Sequence, residues 1–185
     1  MVPVKRLPNI ITLTRILVVP ILVWLVVVDD LRVAFWLFLA AGISDAIDGF
    51  IAKRFDAVSE VGIYLDPLAD KVLLVGVFVT LGAVDLMPPW LVILVVSRDI
   101  LIVGGILFSF ALSLPLTPKP SRLGKFNTFA QISLAAAVLA LHGLQWPLAM
   151  PVEILTYAVG AVTALSGGHY ILKWSRTAFR AETSA

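Results

Sequence analysis

The sequence predicts an all-α integral membrane protein: six transmembrane helices in one unit, with both termini cytoplasmic. The first observation is composition. Hydrophobic residues make up 60% of the chain and charged residues 14%, and the mean hydropathy is +1.01. A water-soluble chain of this size needs a largely polar exterior and does not have this composition. The second is spacing. Six apolar stretches, each roughly 20 residues and so long enough for a hydrocarbon core about 30 Å thick, are separated by polar segments. The third is charge bias. With six spans, Lys5, Arg6, Lys53, Arg54, Lys119, Arg122, Lys173, Arg176 and Arg180 all fall on the side of the termini. Arg32 is the cation clearly in an opposite loop, so the positive-inside rule puts the termini in the cytoplasm.

Residues 1–8 hold two prolines and two cations and read as a cytoplasmic interfacial segment. The first helix is expected at 9–28, with Asn9, Thr12 and Arg15 at i, i+3 spacing in its opening turns. Its apolar run is too long for a signal-peptide core, and Asp29-Asp30 stands where cleavage would need small residues. It is therefore read as uncleaved. The second helix is expected at 33–53 and the third from Val61–Asp66 to about Val84. The fourth is expected at 90–112 and contains Ser97-Arg98-Asp99. Residues 114–122, with three prolines, read as an inner loop. The fifth helix is expected at 123–142 and the sixth at 152–172. Residues 9–172 are thus expected to form a six-helix membrane domain, and 173–185 a basic cytoplasmic tail.

A net charge of +2 is too weak to imply nucleic acid as a partner, and the absence of Cys excludes disulfides and thiolate metal sites. His142 and His169 read as interfacial or packing residues, and the five Trp as an aromatic belt near span ends. Gly104-Gly105 and Gly167-Gly168 lie inside apolar spans and read as sites of close helix packing.

Against this background, Asp45, Asp48, Asp66 and Asp70 are an electrostatic anomaly. The first two are spaced i, i+3 and the last two i, i+4, which on helices puts each pair on one face. A carboxylate near hydrocarbon is costly unless it is paired, hydrated or bound to a cation. Leu31 to Asp45 is about 21 Å of helical rise, which places the pair near the cytoplasmic boundary, within reach of lipid headgroups. An all-oxygen donor set favours hard divalent cations such as Mg²⁺ or Mn²⁺, and four carboxylates suit two of them. Two such ions can clamp a phosphate and neutralise charge as a phosphoryl bond breaks. Gly49 and Gly62 neighbour the pairs, and a missing side chain lets a bulky phosphate approach. Lys53, Lys119, Arg122 and Lys125 gather at the same membrane face and suit phosphates not held by metal. A carboxylate not fully used by metal can take the proton of an attacking hydroxyl. The residues alone leave this choice open among four, with Asp70 preferred.

The run Asp45-x2-Asp48-Gly49-x2-Ala52-Lys53-x8-Gly62-x3-Asp66-x3-Asp70 resembles the motif of the CDP-alcohol phosphatidyltransferases, with Lys53 where that motif has Arg. The Lys keeps the charge and loses the bidentate fork. Leu7-Pro8-Asn9-x2-Thr12-x2-Arg15 resembles the opening of bacterial members, so the likeness covers nearly the whole chain. The resemblance implies a six-helix homodimer in the lipid bilayer with a dinuclear metal site. It implies transfer of a phosphatidyl group from CDP-diacylglycerol to an alcohol, with release of CMP. By motif position Asp45, Asp48 and Asp66 would bind one metal, and Asp45, Asp66 and Asp70 the other, with Asp70 as proton acceptor. Gly49, Lys53 and Ser59, with Asn9 and Thr12, would contact the cytidine diphosphate. The expected location is a bacterial inner membrane with the active site facing the cytoplasm.

Two acceptors lead, ahead of inositol phosphate and serine. The glycerol-3-phosphate enzymes of the family have a second Arg eight residues after the Arg matched by Arg98, where this chain has Ile106. They also have a K-x-K-T-x2-Q run, where this chain has Lys125-x-Asn127-Thr128-x2-Gln131. Two cations suited to a phosphomonoester are thus missing. The pattern resembles the cardiolipin synthases of the family, whose acceptor is phosphatidylglycerol, and a less cationic pocket fits that acceptor. Arg98, with Lys119, Arg122 and Lys125, is the candidate acceptor set; alternatively Arg98 and Asp99 simply neutralise one another. A cation or proton transporter is the competing class for intramembrane carboxylates, and a catalytically silent scaffold is a third. The matching glycines and Ala52 argue against the transporter, and the intact Asp set against the scaffold.

Overall fold

The computed structural model describes the backbone of residues 7–54, 62–111, 122–147 and 149–182, and side chains within 17–44, 71–104, 123–147 and 149–172. The described residues form six α-helices: α1 Leu7–Val27, α2 Leu31–Arg54, α3 Gly62–Ala83, α4 Pro89–Ala111, α5 Arg122–Gly143 and α6 Ala149–Glu182. Number and order match the six apolar stretches. The sixth helix departs from expectation: it runs past Leu172 through Lys173, Arg176 and Arg180. The segment expected as a tail contains no Pro or Gly up to Glu182, so helical propensity carries the helix on after hydropathy has fallen.

The connections between helices are closed by local chemistry. At the end of α1, the Asp30 amide donates to the Leu25 carbonyl at 2.9 Å and the Asp29 amide to Val26 at 3.2 Å. At the end of α3, the Leu86 amide donates to Leu81 at 2.9 Å and the Asp85 amide to Gly82 at 3.3 Å. Both are Schellman motifs, and their left-handed residues are Asp29 (φ 63°) and Asp85 (φ 58°). Asn and Asp tolerate this region better than most residues because a short polar side chain bonds locally. Asp30 also caps α2, its Oδ1 accepting from the Val33 amide at 3.4 Å. Pro89 opens α4 at a position whose missing N–H costs nothing.

The chain divides into two compact units. Unit 1 contains residues 1–87 and 135–149; in it α1 packs against both α2 and α3. Leu22, Val26, Val77, Phe78, Leu81 and Leu139 are fully buried there. Gly76 lets α3 approach α1, since a Cβ there would meet Val19 at 3.2 Å. Gly143 is tighter: a Cβ would lie 2.5 Å from the Leu31 carbonyl carbon and oxygen and 2.8 Å from the Arg32 nitrogen. Backbone cannot swing aside as a flexible side chain can. Gly143→Ala is therefore expected to destabilise the fold by about 1–3 kcal/mol, read as a lower thermal midpoint in detergent.

Unit 2 contains residues 88–134 and 150–185. Trp90 stacks on Tyr157 with ring centroids 5.8 Å apart, and Gly160 leaves room for the indole, which a Cβ would meet at 2.7 Å. Close packing was expected instead at the Gly pairs of α4 and α6. Gly167 does sit over the stem of Arg98 at 3.6 Å, but nothing lies within 4 Å of a Cβ at Gly104 or Gly168. Among the described residues the glycines in closest approach are single, Gly143 opposing backbone, Gly160 a ring and Gly76 a valine, which a paired motif does not reveal.

Much of the described exterior is apolar. Leu17, Trp24, Ile93, Ile100, Phe129 and Leu165 are 61–68% exposed. Large aliphatic and aromatic groups distributed this way are unfavourable against water and suit hydrocarbon. Among the described residues, Leu123–Gly143 and Ala149–Leu172 are long and apolar enough to cross a membrane. Leu17–Val27, Leu31–Ser44 and Lys71–Ala83 are shorter apolar stretches.

Candidate active site

The aspartate motif belongs to unit 1. Asp45, Asp48, Gly49 and Lys53 lie on α2, Asp66 and Asp70 on α3, and Asn9 and Thr12 on α1. Helical backbone runs through both carboxylate pairs, as their spacing requires. Chain geometry puts these positions at one end of the unit. The link between α1 and α2 is three residues, 28–30, and reverses the chain. The seven residues between α2 and α3 span at most about 25 Å, too short to return along α2, which rises about 36 Å. The α1 and α3 helices therefore enter from the same end. Gly76 stands level with Val19 and Val23. Asp66 lies ten residues before Gly76 and Asn9 ten before Val19, so both are about 15 Å from that crossing on the same side.

The side chains of Asn9, Thr12, Asp45, Asp48, Lys53, Asp66, Asp70 and Arg122 lie outside the described residues, as do Ser59 and Lys119 altogether. Among the described residues no three His, Cys, Asp or Glu side chains converge on a metal position. The fit to divalent cations rests on the donor set: four carboxylates on helical backbone, in two pairs, at one end of three helices. Hard oxygen donors at such spacing suit Mg²⁺ or Mn²⁺.

A second polar constellation lies inside unit 2. Arg98 and Asp99 on α4 are 5% and 4% exposed, and Asn127 and Gln131 on α5 are completely buried, as is Thr163 on α6. The Arg98 guanidinium donates from Nη1 to Asp99 Oδ1 at 2.6 Å and from Nη2 to Ser166 Oγ at 3.1 Å. The expected mutual neutralisation of Arg98 and Asp99 is thus present, and Ser166 is a partner that the sequence did not suggest. The Thr163 hydroxyl donates to Asn127 Oδ1 at 2.8 Å and accepts from Gln131 Nε2 at 3.3 Å. Lys125, two residues before Asn127, is exposed. A buried cation is retained only with close partners, and this one has a carboxylate and a hydroxyl.

Thr163 and Ser166 belong to no motif and were missed. A signal existed: Thr156, Thr163 and Ser166 are all buried on α6 at i, i+7 and i+10, one face of an otherwise apolar helix.

The family model for CDP-alcohol phosphatidyltransferase matches residues 5–165. The chain belongs to the CDP-alcohol phosphatidyltransferase family. Among curated relatives it is 34% identical over 189 residues to a cardiolipin synthase (CMP-forming)/mitochondrial hydrolase fusion protein of Schizosaccharomyces pombe, covering 94% of this chain and 31% of that protein. It is 33% identical over 181 residues to a cardiolipin synthase (CMP-forming) of Rattus norvegicus, covering 89% of this chain and 60% of that protein. It is 34% identical over 188 residues to the CDP-diacylglycerol–glycerol-3-phosphate 3-phosphatidyltransferase of Bacillus subtilis, covering 91% of this chain and 94% of that protein. The chain thus spans about a third of the length of the first relative, under two thirds of the second and nearly all of the third. The match to the CDP-alcohol phosphatidyltransferases includes all of the aspartate motif, α1 to α5 and half of α6.

Proposed function

We propose that the protein transfers the phosphatidyl group of CDP-diacylglycerol to phosphatidylglycerol, forming cardiolipin and releasing CMP. The observation that carries the acceptor is Asn127. It is neutral, fully buried and hydrogen-bonded to Thr163, at a position where the glycerol-3-phosphate enzymes are expected to hold a Lys. A phosphomonoester dianion needs cations. Here the buried cation Arg98 is already neutralised by Asp99, and Ile106 replaces a second Arg.

In this reading Asp45, Asp48 and Asp66 hold one divalent cation, and Asp45, Asp66 and Asp70 a second. When bound, the ions supply Lewis-acid polarisation of the pyrophosphate and neutralise charge on the departing CMP. The chain's own groups do the rest. Asn9, Thr12, Gly49, Lys53 and Ser59 orient the cytidine diphosphate. Asp70 accepts the proton of the phosphatidylglycerol hydroxyl. Its oxygen bonds to the phosphorus that bears diacylglycerol, and the bond from that phosphorus to the CMP oxygen breaks. Arg98, Lys119, Arg122 and Lys125 serve the acceptor.

We place all six helices across the membrane, with termini and active site cytoplasmic, as the cation distribution supports. A bacterial inner membrane and a homodimer complete the proposal, both drawn from the family resemblance. The Bacillus subtilis relative, matched over 94% of its length, supports glycerol-3-phosphate as the alternative acceptor.

The test is purified protein in detergent with CDP-diacylglycerol, phosphatidylglycerol and Mg²⁺ or Mn²⁺. Cardiolipin and CMP are expected in equal amounts, with loss of both on adding EDTA and recovery with excess metal. Turnover unaffected by EDTA contradicts the metal reading. No CMP with any alcohol contradicts the transferase reading and returns the transporter and the silent scaffold.

A further inference from the structure

The Asn127–Thr163–Gln131 chain has an arithmetic consequence. A hydroxyl has one proton to donate, so Thr163 cannot bond the oxygens of both amides; here it bonds the oxygen of Asn127 and the nitrogen of Gln131. One amide then keeps an unused NH₂ and the other an unused carbonyl. In the structure the unused atoms are Asn127 Nδ2 and Gln131 Oε1; both are buried and have no hydrogen-bond partner among the described residues. Arg98 Nε is a third such atom, on a guanidinium already neutralised by Asp99. Buried polar groups left without partners are costly, because they have given up water for nothing. Three within one helical unit point to a ligand.

Of these three atoms, Asn127 Nδ2 and Arg98 Nε donate and Gln131 Oε1 accepts, and the two amides carry no charge. A phosphomonoester accepts hydrogen bonds and would set its lone pairs against the Gln131 carbonyl. A hydroxyl donates and accepts at once. Asn127 and Gln131 are spaced i, i+4 and share one face of α5, so one hydroxyl-bearing group suits both.

We propose that this cluster is the recognition site for the glycerol hydroxyls of the acceptor lipid, and that Thr163 is the positioning residue that keeps one amide donor and one amide acceptor free for them. The proposal rests on the phosphatidylglycerol reading and adds to it a residue of α6 and a reason for acceptor choice. Thr163 touches neither donor nucleotide nor reacting atoms in this assignment. Its removal therefore acts on the acceptor alone.

The experiment is steady-state kinetics in mixed micelles, varying phosphatidylglycerol and CDP-diacylglycerol separately. Thr163→Val keeps the side-chain volume and lets both amides turn. It is expected to raise the KM for phosphatidylglycerol about tenfold, the worth of roughly one hydrogen bond, with the KM for CDP-diacylglycerol within twofold of wild type. Thr163→Ser is expected to restore the acceptor KM. Should Thr163→Val not yield folded protein, Gln131→Met carries the same expectation, since it removes one amide and leaves Thr163 bonded to Asn127. An unchanged acceptor KM, or equal rises for donor and acceptor, overturns the inference and assigns the chain to packing or to a resident water. Failure of the wild-type protein to make cardiolipin instead refutes the acceptor reading itself, before any variant is compared.

Discussion

Asp70→Asn is expected to reduce phosphatidyl transfer by about 10³- to 10⁴-fold, at the upper end of what general-base removal costs. Asn keeps the size and one oxygen but cannot take the proton of the acceptor hydroxyl. The KM for CDP-diacylglycerol is expected to change little, because the loss falls on the chemical step. Asp45→Asn and Asp66→Asn should behave differently. Each is assigned to both cations and Asp70 to one, so their first effect is a larger rise than in Asp70→Asn in the Mg²⁺ or Mn²⁺ concentration for half-maximal rate. A titration of rate against metal for the three variants separates the roles. Equal metal dependence in all three contradicts the assignment of Asp70 as base. Wild-type activity in Asp70→Asn contradicts the site.

The largest effect on stability is expected at Arg98. Arg98→Met removes the guanidinium 2.6 Å from Asp99 and the bond to Ser166, while both charged groups are at least nine-tenths buried. Breaking a buried pair by removing one member costs about 3–5 kcal/mol. A drop of about 10 °C in the thermal midpoint follows for a chain of this length. The double change Arg98→Met/Asp99→Leu should recover most of that loss, because an apolar pair has no desolvation to offset. Arg98→Lys should fall between, since an ammonium can keep Asp99 but lacks the fork that also reaches Ser166. If the double variant is as unstable as the single one, the pair is not the source of the effect.

The parts of the fold legible in the sequence were those written as local pattern. Asp45 and Asp48 on α2, and Asp66 and Asp70 on α3, follow the helical spacing of their pairs. The turns at Asp29 and Asp85 fall where apolar runs break at acidic residues. The end of α6 was misjudged because hydropathy marks the end of a span, whereas Lys173 to Glu182 continue a helix by propensity alone. Thr163 and Ser166 were not legible because hydroxyls on an apolar helix are common and satisfy themselves on the preceding turn, as Thr156 does on Val152 at 2.8 Å. What distinguishes Thr163 is its pair of partners on α5, thirty-two and thirty-six residues away in sequence. Gly143 was missed for a similar reason: the backbone of Leu31 that requires it is more than one hundred residues distant.

Asn127 also shapes how acceptor choice can be altered. Introducing Lys there, with Arg at Ile106, supplies the two cations that a phosphomonoester needs. It also removes the oxygen that accepts from Thr163. The exchange is therefore expected to impair use of phosphatidylglycerol along with any gain for glycerol-3-phosphate.

The central claim is the identity of the acceptor, and one competition measures it. Purified protein receives CDP-diacylglycerol with equal, saturating phosphatidylglycerol and glycerol-3-phosphate, and the lipid products are identified by mass. Cardiolipin in large excess is the expected result. Phosphatidylglycerophosphate as the dominant product contradicts the account.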